Sequence, residues 1–260
     1  VTAPLFHLFP GALDTVGPGS TVVVSGAEGH HAATVMRLGA GELIHLSDTQ
    51  QRRIEGIIVA SGAGEVTVEV REVEDEPSLK PRLVLVQALA KEKRDLQAVE
   101  SATELGVDAI IPWDAERSVA KWKAGREAKK HAEWVNTARS AAKQTRRTSL
   151  PEVRELVTTG KYCQHIQQAP GIAAVALHEV EEISLSSVLA AAGALEAETE
   201  VEELHLLVGP EGGISDRELT QLTAAGTLTA RLGRNVLRSS TAGPAAVVAA
   251  QLLLGRWDWA

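Results

Sequence analysis

From Arg82 onward, short apolar runs alternate with amphipathic stretches, most of which end in glycine. This rhythm restricts the fold more than any other feature of the chain. The runs "RLVLVQAL" (82–89), "VDAIIPW" (107–113), "GIAAVALHE" (171–179), "ELHLLVG" (203–209) and "TLTARL" (227–232) read as strands. Their near-continuous apolar character is that of strands covered on both faces. Between and after them, "KRDLQAVESATELG" (93–106), "AGREAKKHAEWVNTARSAAKQTRR" (124–147), "ISLSSVLAAAG" (183–193), "SDRELTQLTAAG" (215–226) and "PAAVVAAQLLLG" (244–255) read as helices. The long basic helix carries Ala128, Ala132, Val135 and Ala138 among its apolar positions, and Ser215 with Glu218 forms a capping box. Strands alternating with helices predict an α/β domain built on a mostly parallel sheet. The Ala/Glu-rich stretch at 190–203 reads as a helix end followed by a loop.

The first third of the chain follows a different rhythm. "TVVVS" (21–25), "ELIHLSD" (42–48), "RRIEGIIVA" (52–60) and "EVTVEVREV" (65–73) are β-branched segments separated by glycine-containing turns. That spacing predicts a small β-barrel. The acidic, proline-containing "EVEDEPSLKP" (72–81) reads as a linker, which sets domains at 1–75 and 76–260. Aromatic residues make up only 3% of the chain, so both cores must be built from Ala, Val, Leu and Ile. No apolar run approaches the ~20 residues that span a bilayer, and the opening "VTAPLFHLFPG" lacks a basic region followed by a long apolar core, so no signal peptide is expected there. A cytoplasmic protein is expected. The single cysteine, Cys163, forms no internal disulfide and no CxxC zinc site.

Net charge is −8, yet residues 117–154 carry eleven basic and three acidic side chains. A chain polarised in this way offers a positive face to phosphate while remaining acidic overall. A solvated helix face is the alternative. Trp113, Trp122 and Trp134 lie near this basic stretch and either stack on bases or pack against helices.

Ligands of an open α/β sheet sit beyond the carboxyl ends of its strands. Three loops occupy such positions: "ALHEVEE" (176–182), "GPEGGIS" (209–215) and "LGRNVLRSST" (232–241). Gly209, Gly212 and Gly213 permit positive φ and close backbone approach to a ligand. Pro210 stiffens the turn, and Glu211 puts negative charge where a phosphate needs the opposite, so a less anionic ligand is favoured. In the third loop Arg234 and Arg238 lie beside Asn235, Ser239, Ser240 and Thr241; they fix an anionic group or remain surface cations. His178 either lines the crevice or is structural. His30 and His31, being adjacent, point apart and do not suggest a metal site, and "VMRL" (35–38) after them is expected to pack into a core.

Six segments in order, "HHAATVMRLGAGELIHLSD", "QALAKEKRDLQAVESATELGVDAIIP", "ERSVAKW", "AAKQTRRTSLPEV", "LLVGPEGGISDREL" and "LGRNVLRSSTA", resemble the RsmE-type 16S ribosomal RNA (uracil-N3)-methyltransferases, members of the SPOUT class. The resemblance implies a PUA-like β-barrel followed by an α/β trefoil-knot domain, working as a homodimer without metal. It also implies bound S-adenosylmethionine, held by Leu177, His178, Val208, Gly209, Pro210, Glu211, Gly213, Leu232, Gly233, Val236 and Leu237. Arg238 matches the family's Leu-Arg pair and is the candidate catalytic residue, with Glu211 and His178 as candidate bases. Arg37, Lys91, Lys93, Lys143, Gln144, Arg146 and Arg147 are expected to hold the RNA of the small subunit. The chain departs from the family at Arg234 and Asn235, which replace a usual Pro-Arg, and at Ser240, where Glu is common. These changes leave open a catalytically degenerate assembly factor, or an enzyme acting on another RNA position.

Overall fold

The computed structural model describes residues 3–196 and 198–257. Ala197, within the expected loop at 190–203, and the final residues 258–260 lie outside the described residues. The chain forms two units, Val1–Ser78 with Ala142–Leu150, and Leu79–Ala141 with Pro151–Ala260.

The first unit is a five-stranded sheet of β1 (Leu5–His7), β2 (Thr21–Val24), β3 (Leu43–Ser47), β4 (Arg52–Gly62) and β5 (Glu65–Asp75), in the order β1-β3-β4-β5-β2. All neighbours pair antiparallel except β1, which joins β3 in parallel. Alternate residues Ile54 and Ile58 of β4, and Val66, Val68 and Val70 of β5, fill its core. Gly56 sits at a register shift where an added Cβ would lie 2.4 Å from Val68 Cγ1, so only glycine lets the two strands pass. The helix α1 (Gly26–His30) runs into a π-helical turn, His31–Val35. Beyond it Arg37 takes a φ of 56°, which turns the chain and leaves Val35 and Met36 exposed. Of the "VMRL" segment only Leu38 reaches the core, contrary to expectation.

Residues 142–150 belong to this unit although they follow it by more than sixty positions in sequence. Ser47 Oγ donates to the Thr148 carbonyl at 2.5 Å, and the Leu150 N–H donates to the Thr49 carbonyl at 3.0 Å. No periodicity marks such a long-range addition.

The second unit has the expected alternation, with every strand pair parallel. Its elements are β6 (Arg82–Ala88), α2 (Arg94–Glu104), β7 (Ala109–Asp114), α3 (Glu127–Gln144), β8 (Glu152–Val153), β9 (Val157–Thr158), α4 (Thr159–Gln168), β10 (Ile172–Leu177), α5 (Leu185–Ala191), β11 (Glu203–Val208), α6 (Asp216–Ala224), β12 (Leu228–Ala230) and α7 (Ser239–Leu253). The sheet order is β12-β10-β11-β6-β7-β8, with β9 also on β7. Leu83 and Leu85 bury one face with residues of α2, α3 and α7, and Val84 and Val86 bury the other with residues of α4 and α6.

Several details refine or correct the sequence reading. The buried stripe of α3 is Trp134, Ala138, Ala141 and Ala142, while Ala128 and Ala132 are exposed. Trp113 and Trp134 are only 1% exposed, and Trp122 packs edge-on against Trp134, so the first two present no face to a base. The terminal helix begins five residues before Pro244, which lies inside it. Proline lacks the N–H that would reach Ser240, but close packing of Gly243 on Leu85 holds the turn in place. The helix α4 was missed because "TGKYCQHIQQ" is mostly polar; it buries Tyr162, Cys163 and Ile166.

A buried polar chain lies near the amino end of β11. Arg154 donates to both carboxylate oxygens of Glu203, His205 Nε2 lies 2.9 Å from Glu203 Oε2, and Tyr162 Oη lies 2.9 Å from His205 Nδ1. Burial disfavours the charged imidazole and holds His205 below its ordinary value, against the pull of Glu203. Burial alone would raise the Glu203 carboxyl, but hydrogen bonds from Arg154 and His205 outweigh it and hold it far below the usual range. The fitting assignment is a neutral imidazole that donates from Nε2 and accepts the Tyr162 hydroxyl at Nδ1. Both groups bind protons more readily when unfolded, so stability falls as pH drops through the ordinary imidazole value of 6.5, and again below the ordinary carboxyl value of 4.5. The melting temperature is therefore expected to fall between pH 7 and pH 5.5, and His205→Gln should flatten that slope. An equally steep slope in the variant would refute the assignment.

Candidate functional site

Because β12, β10 and β11 are neighbours, the three loops that leave their carboxyl ends converge. The third loop has the furthest to travel. It leaves β12 outside β10 and delivers the chain to α7, which packs on β6, β11 and α2.

The second loop is shaped by its glycines and by Pro210. The Gly213 N–H donates to the Pro210 carbonyl at 2.9 Å, closing a tight turn around Glu211 and Gly212. Only Gly213 has positive φ, at 71°. Gly209 is needed for space instead, since a Cβ there would lie 2.9 Å from Ile214 Cγ1. Gly212 fits closely against Arg117, whose Nη1 donates to its carbonyl at 3.1 Å. The helix α6 then starts on the expected capping box of Ser215 and Glu218.

The third loop is held by Arg231, which donates to the carbonyls of Gly233 at 2.8 Å and Arg234 at 3.2 Å. Gly233 has a φ of 119°, a conformation that disfavours other residues. In the first loop the His178 N–H donates to the Ala230 carbonyl at 3.0 Å, while His178 Nδ1 is buried without a hydrogen-bond partner among the described residues.

Together the loops enclose a cavity of about 460 Å³, within the range of small-molecule sites. Leu177 and His178 line it from the first loop, and Val208, Gly209, Pro210, Glu211 and Gly213 from the second. Leu232, Gly233, Val236, Leu237 and Arg238 line it from the third. Every residue expected around a cofactor therefore meets at one place. Val236 is 74% exposed and Leu237 36%, which leaves apolar surface available to a flat organic ligand.

Arg94, Arg117, Arg231, Arg234 and Arg238 line the cavity together with Glu179 and Glu211, which makes its wall net positive. The sequence reading did not name Arg94, Arg117 and Arg231 as site residues, although Arg94 and Arg117 lie within family-like segments. Gln87 was also missed: it is fully buried in β6 and donates from Nε2 to Ser239 Oγ at 2.9 Å, beside Arg238. Its signal was a polar residue inside an otherwise apolar run. No side chain among the described residues pairs with the Arg238 guanidinium, whereas Glu211 accepts the Lys91 N–H at 3.0 Å.

The expected RNA contacts fall in both units and are described separately. In the second unit Lys91 and Lys93 are exposed. In the first unit Arg37, Gln144 and Arg146 are exposed, but Lys143 donates to both oxygens of Glu28 at 2.7 Å. The Arg147 carbonyl lies 2.8 Å from His7 Nε2, which ties the backbone there to β1. Lys143 thus has a structural ion pair of its own.

The sequence matches the RNA methyltransferase domain over residues 77–251 and the RNA methyltransferase PUA domain over residues 24–71. It is 39% identical to the ribosomal RNA small subunit methyltransferase E of Mycobacterium bovis, over 92% of this chain and 89% of that protein. The chain belongs to this family. A Legionella pneumophila protein solved with the bound cofactor SAM shares 27% identity at a TM-score of 0.78, covering 97% of this chain and 98% of that one. The same fold recurs in the Neisseria gonorrhoeae ribosomal RNA small subunit methyltransferase E, at 24% identity and a TM-score of 0.79, over 97% and 98% of the two chains. The α/β unit thus carries the RNA methyltransferase domain, and the N-terminal unit is PUA-like. Among the described residues no helix is long and apolar enough to cross a membrane.

Proposed function

We propose that this protein transfers a methyl group from S-adenosylmethionine to N3 of a uridine in 16S ribosomal RNA of the small subunit. The observation that carries the reading is the single cavity formed by three loops of a chain in the methyltransferase E family. Its residues suit the cofactor. Gly209 and Gly213 admit a ligand close to the backbone, Val236 and Leu237 offer apolar contact, and His178 Nδ1 offers an unused polar atom.

When bound, S-adenosylmethionine supplies an electrophilic methyl group on a sulfonium. Leu177, Val208, Gly209, Leu232, Gly233 and Leu237 would hold the cofactor beside the acceptor base, so much of the acceleration would be positional. The uridine N3 proton leaves to solvent as the N3–CH3 bond forms, and negative charge builds on the flanking carbonyl oxygens. Arg238, which lines the cavity and has no side-chain partner for its guanidinium among the described residues, stabilises that charge as it develops. N3 lies on the pairing edge of the base, so the target must be unpaired before it reacts. The basic residues Arg37, Lys91, Lys93, Arg146 and Arg147, with the amide of Gln144, contact the surrounding RNA, and binding is expected to weaken with salt.

Residues 1–75 serve as the RNA-gripping part and 76–260 as the catalytic part, the latter threaded through a trefoil knot and paired as a homodimer in the cytoplasm. Sedimentation equilibrium reads the pairing, and a monomer at micromolar concentration would refute it. The activity is tested with labelled cofactor and small ribosomal subunits lacking the mark, followed by mass spectrometry of the nucleosides. 3-Methyluridine is expected. Methyl on a different nucleoside would move the target, and cofactor binding without transfer would favour an assembly factor.

A further inference from the structure

The loop after β6 and the loop after β11 leave neighbouring strands, and Glu211 joins them. Its Oε1 accepts the Lys91 N–H at 3.0 Å and faces Arg94 Nη1 at 3.6 Å. Arg94 is itself held by Glu92 at 2.9 Å and lines the cavity. Between Lys91 and Arg94, Glu92 and Lys93 take φ values of 55° and 58° in succession, a left-handed pair with no glycine in it. Such a backbone persists only where its surroundings hold it. The Arg94 N–H closes the turn onto the Lys91 carbonyl at 3.0 Å, and the residue that pins this turn from outside is Glu211. On the far side of the same Gly-Pro-Glu-Gly-Gly segment, Arg117 grips the Gly212 carbonyl.

We propose that Glu211 is a positioning residue whose carboxylate clamps the 91–94 turn against the cofactor loop, presenting the exposed cations Lys91 and Lys93 to an RNA backbone. This rests on the RNA methyltransferase reading of the cavity. A carboxylate with one oxygen engaged by a backbone N–H and facing a guanidinium is suited to this task. Order in the cofactor loop and readiness of the RNA-gripping turn are then coupled through one side chain.

The test uses the full chain with Glu211→Ala, Glu211→Gln, Arg94→Ala and the Arg94/Glu211 double alanine variant. Amide hydrogen exchange at 91–94 should quicken by about tenfold in Glu211→Ala and less in Glu211→Gln, which keeps an acceptor for the Lys91 N–H. The KM for the small-subunit RNA should rise by about tenfold in Glu211→Ala while kcat changes by less than about threefold. The double variant should cost less than the sum of the two single ones. Glu211→Gln should keep the shape of the pH–rate profile. Loss of one limb of that profile, or a hundredfold drop in kcat, would instead make Glu211 the general base and overturn the proposal. Unchanged exchange at 91–94 in Glu211→Ala would overturn it as well. If the unmodified protein methylates no small-subunit RNA, the functional reading fails, and the exchange measurement still decides the clamp.

Discussion

Replacing Arg238 with alanine is expected to lower turnover by about 10²–10³-fold, roughly 3–4 kcal/mol of transition-state stabilisation. The affinity for S-adenosylmethionine should change by less than about threefold, because the guanidinium is assigned to the uridine carbonyls. The position is prepared for that task. Arg238 is the N-cap of α7, with its backbone carbonyl accepting from Thr241 and Ala242 at 2.8 and 2.9 Å, so its main chain is held while its side chain is not. Ser239, the next residue, is anchored from below by Gln87. Single-turnover methyl transfer together with calorimetric titration of the cofactor separates the two effects. Parallel losses in both would make Arg238 a binding residue.

Glu218→Ala should be the most damaging single change to stability among the side chains that support the cavity. This carboxylate is 2% exposed and does more than close the capping box. Its Oε1 accepts the Thr159 hydroxyl at 2.6 Å and the Glu116 N–H at 2.8 Å, and its Oε2 accepts the Ser215 N–H at 3.3 Å. It therefore ties the start of α6 to the chain after β7 and to the first turn of α4. Removing it leaves several buried donors unsatisfied, at a cost of about 3 kcal/mol or more. At about 2–4 °C per kcal/mol for a unit of this size, the melting temperature should fall by about 6–12 °C. Glu218→Gln retains the Oε1 acceptor and should cost about a third as much. Urea unfolding of both variants checks the ranking, and a loss below about 1 kcal/mol in Glu218→Ala would contradict it.

The legible parts of the site were those encoded by local backbone needs. Glycine and proline in "GPEGGIS", with Glu218 completing the Ser215 cap, mark a tight turn into a helix wherever they occur, and the turn forms as read. Two of the residues missed act across distance: Arg117 steadies the second loop and Gln87 the start of α7, each through a contact that depends on strand order rather than on neighbours in sequence. Arg231 instead holds the third loop locally, through carbonyls two and three residues further on. Lys143 shows the converse. Its place in a basic stretch suggested RNA, but folding supplied Glu28 as its partner, 115 positions away.

The sequence by itself determined the parallel α/β class, the N-terminal β-rich unit, the helix cap at Ser215 and the three loops that carry the site. These follow from periodicity and from the conformational limits of glycine and proline, which act over a few residues. Only the tertiary structure decided that residues 142–150 join the first unit, that Trp134 rather than Ala128 and Ala132 faces the core, and that Glu211 holds a neighbouring turn. Each of those outcomes depends on which strands become neighbours. A buried contact gains its energy from groups brought together by the whole fold, and no local pattern encodes the identity of a partner more than a hundred residues away.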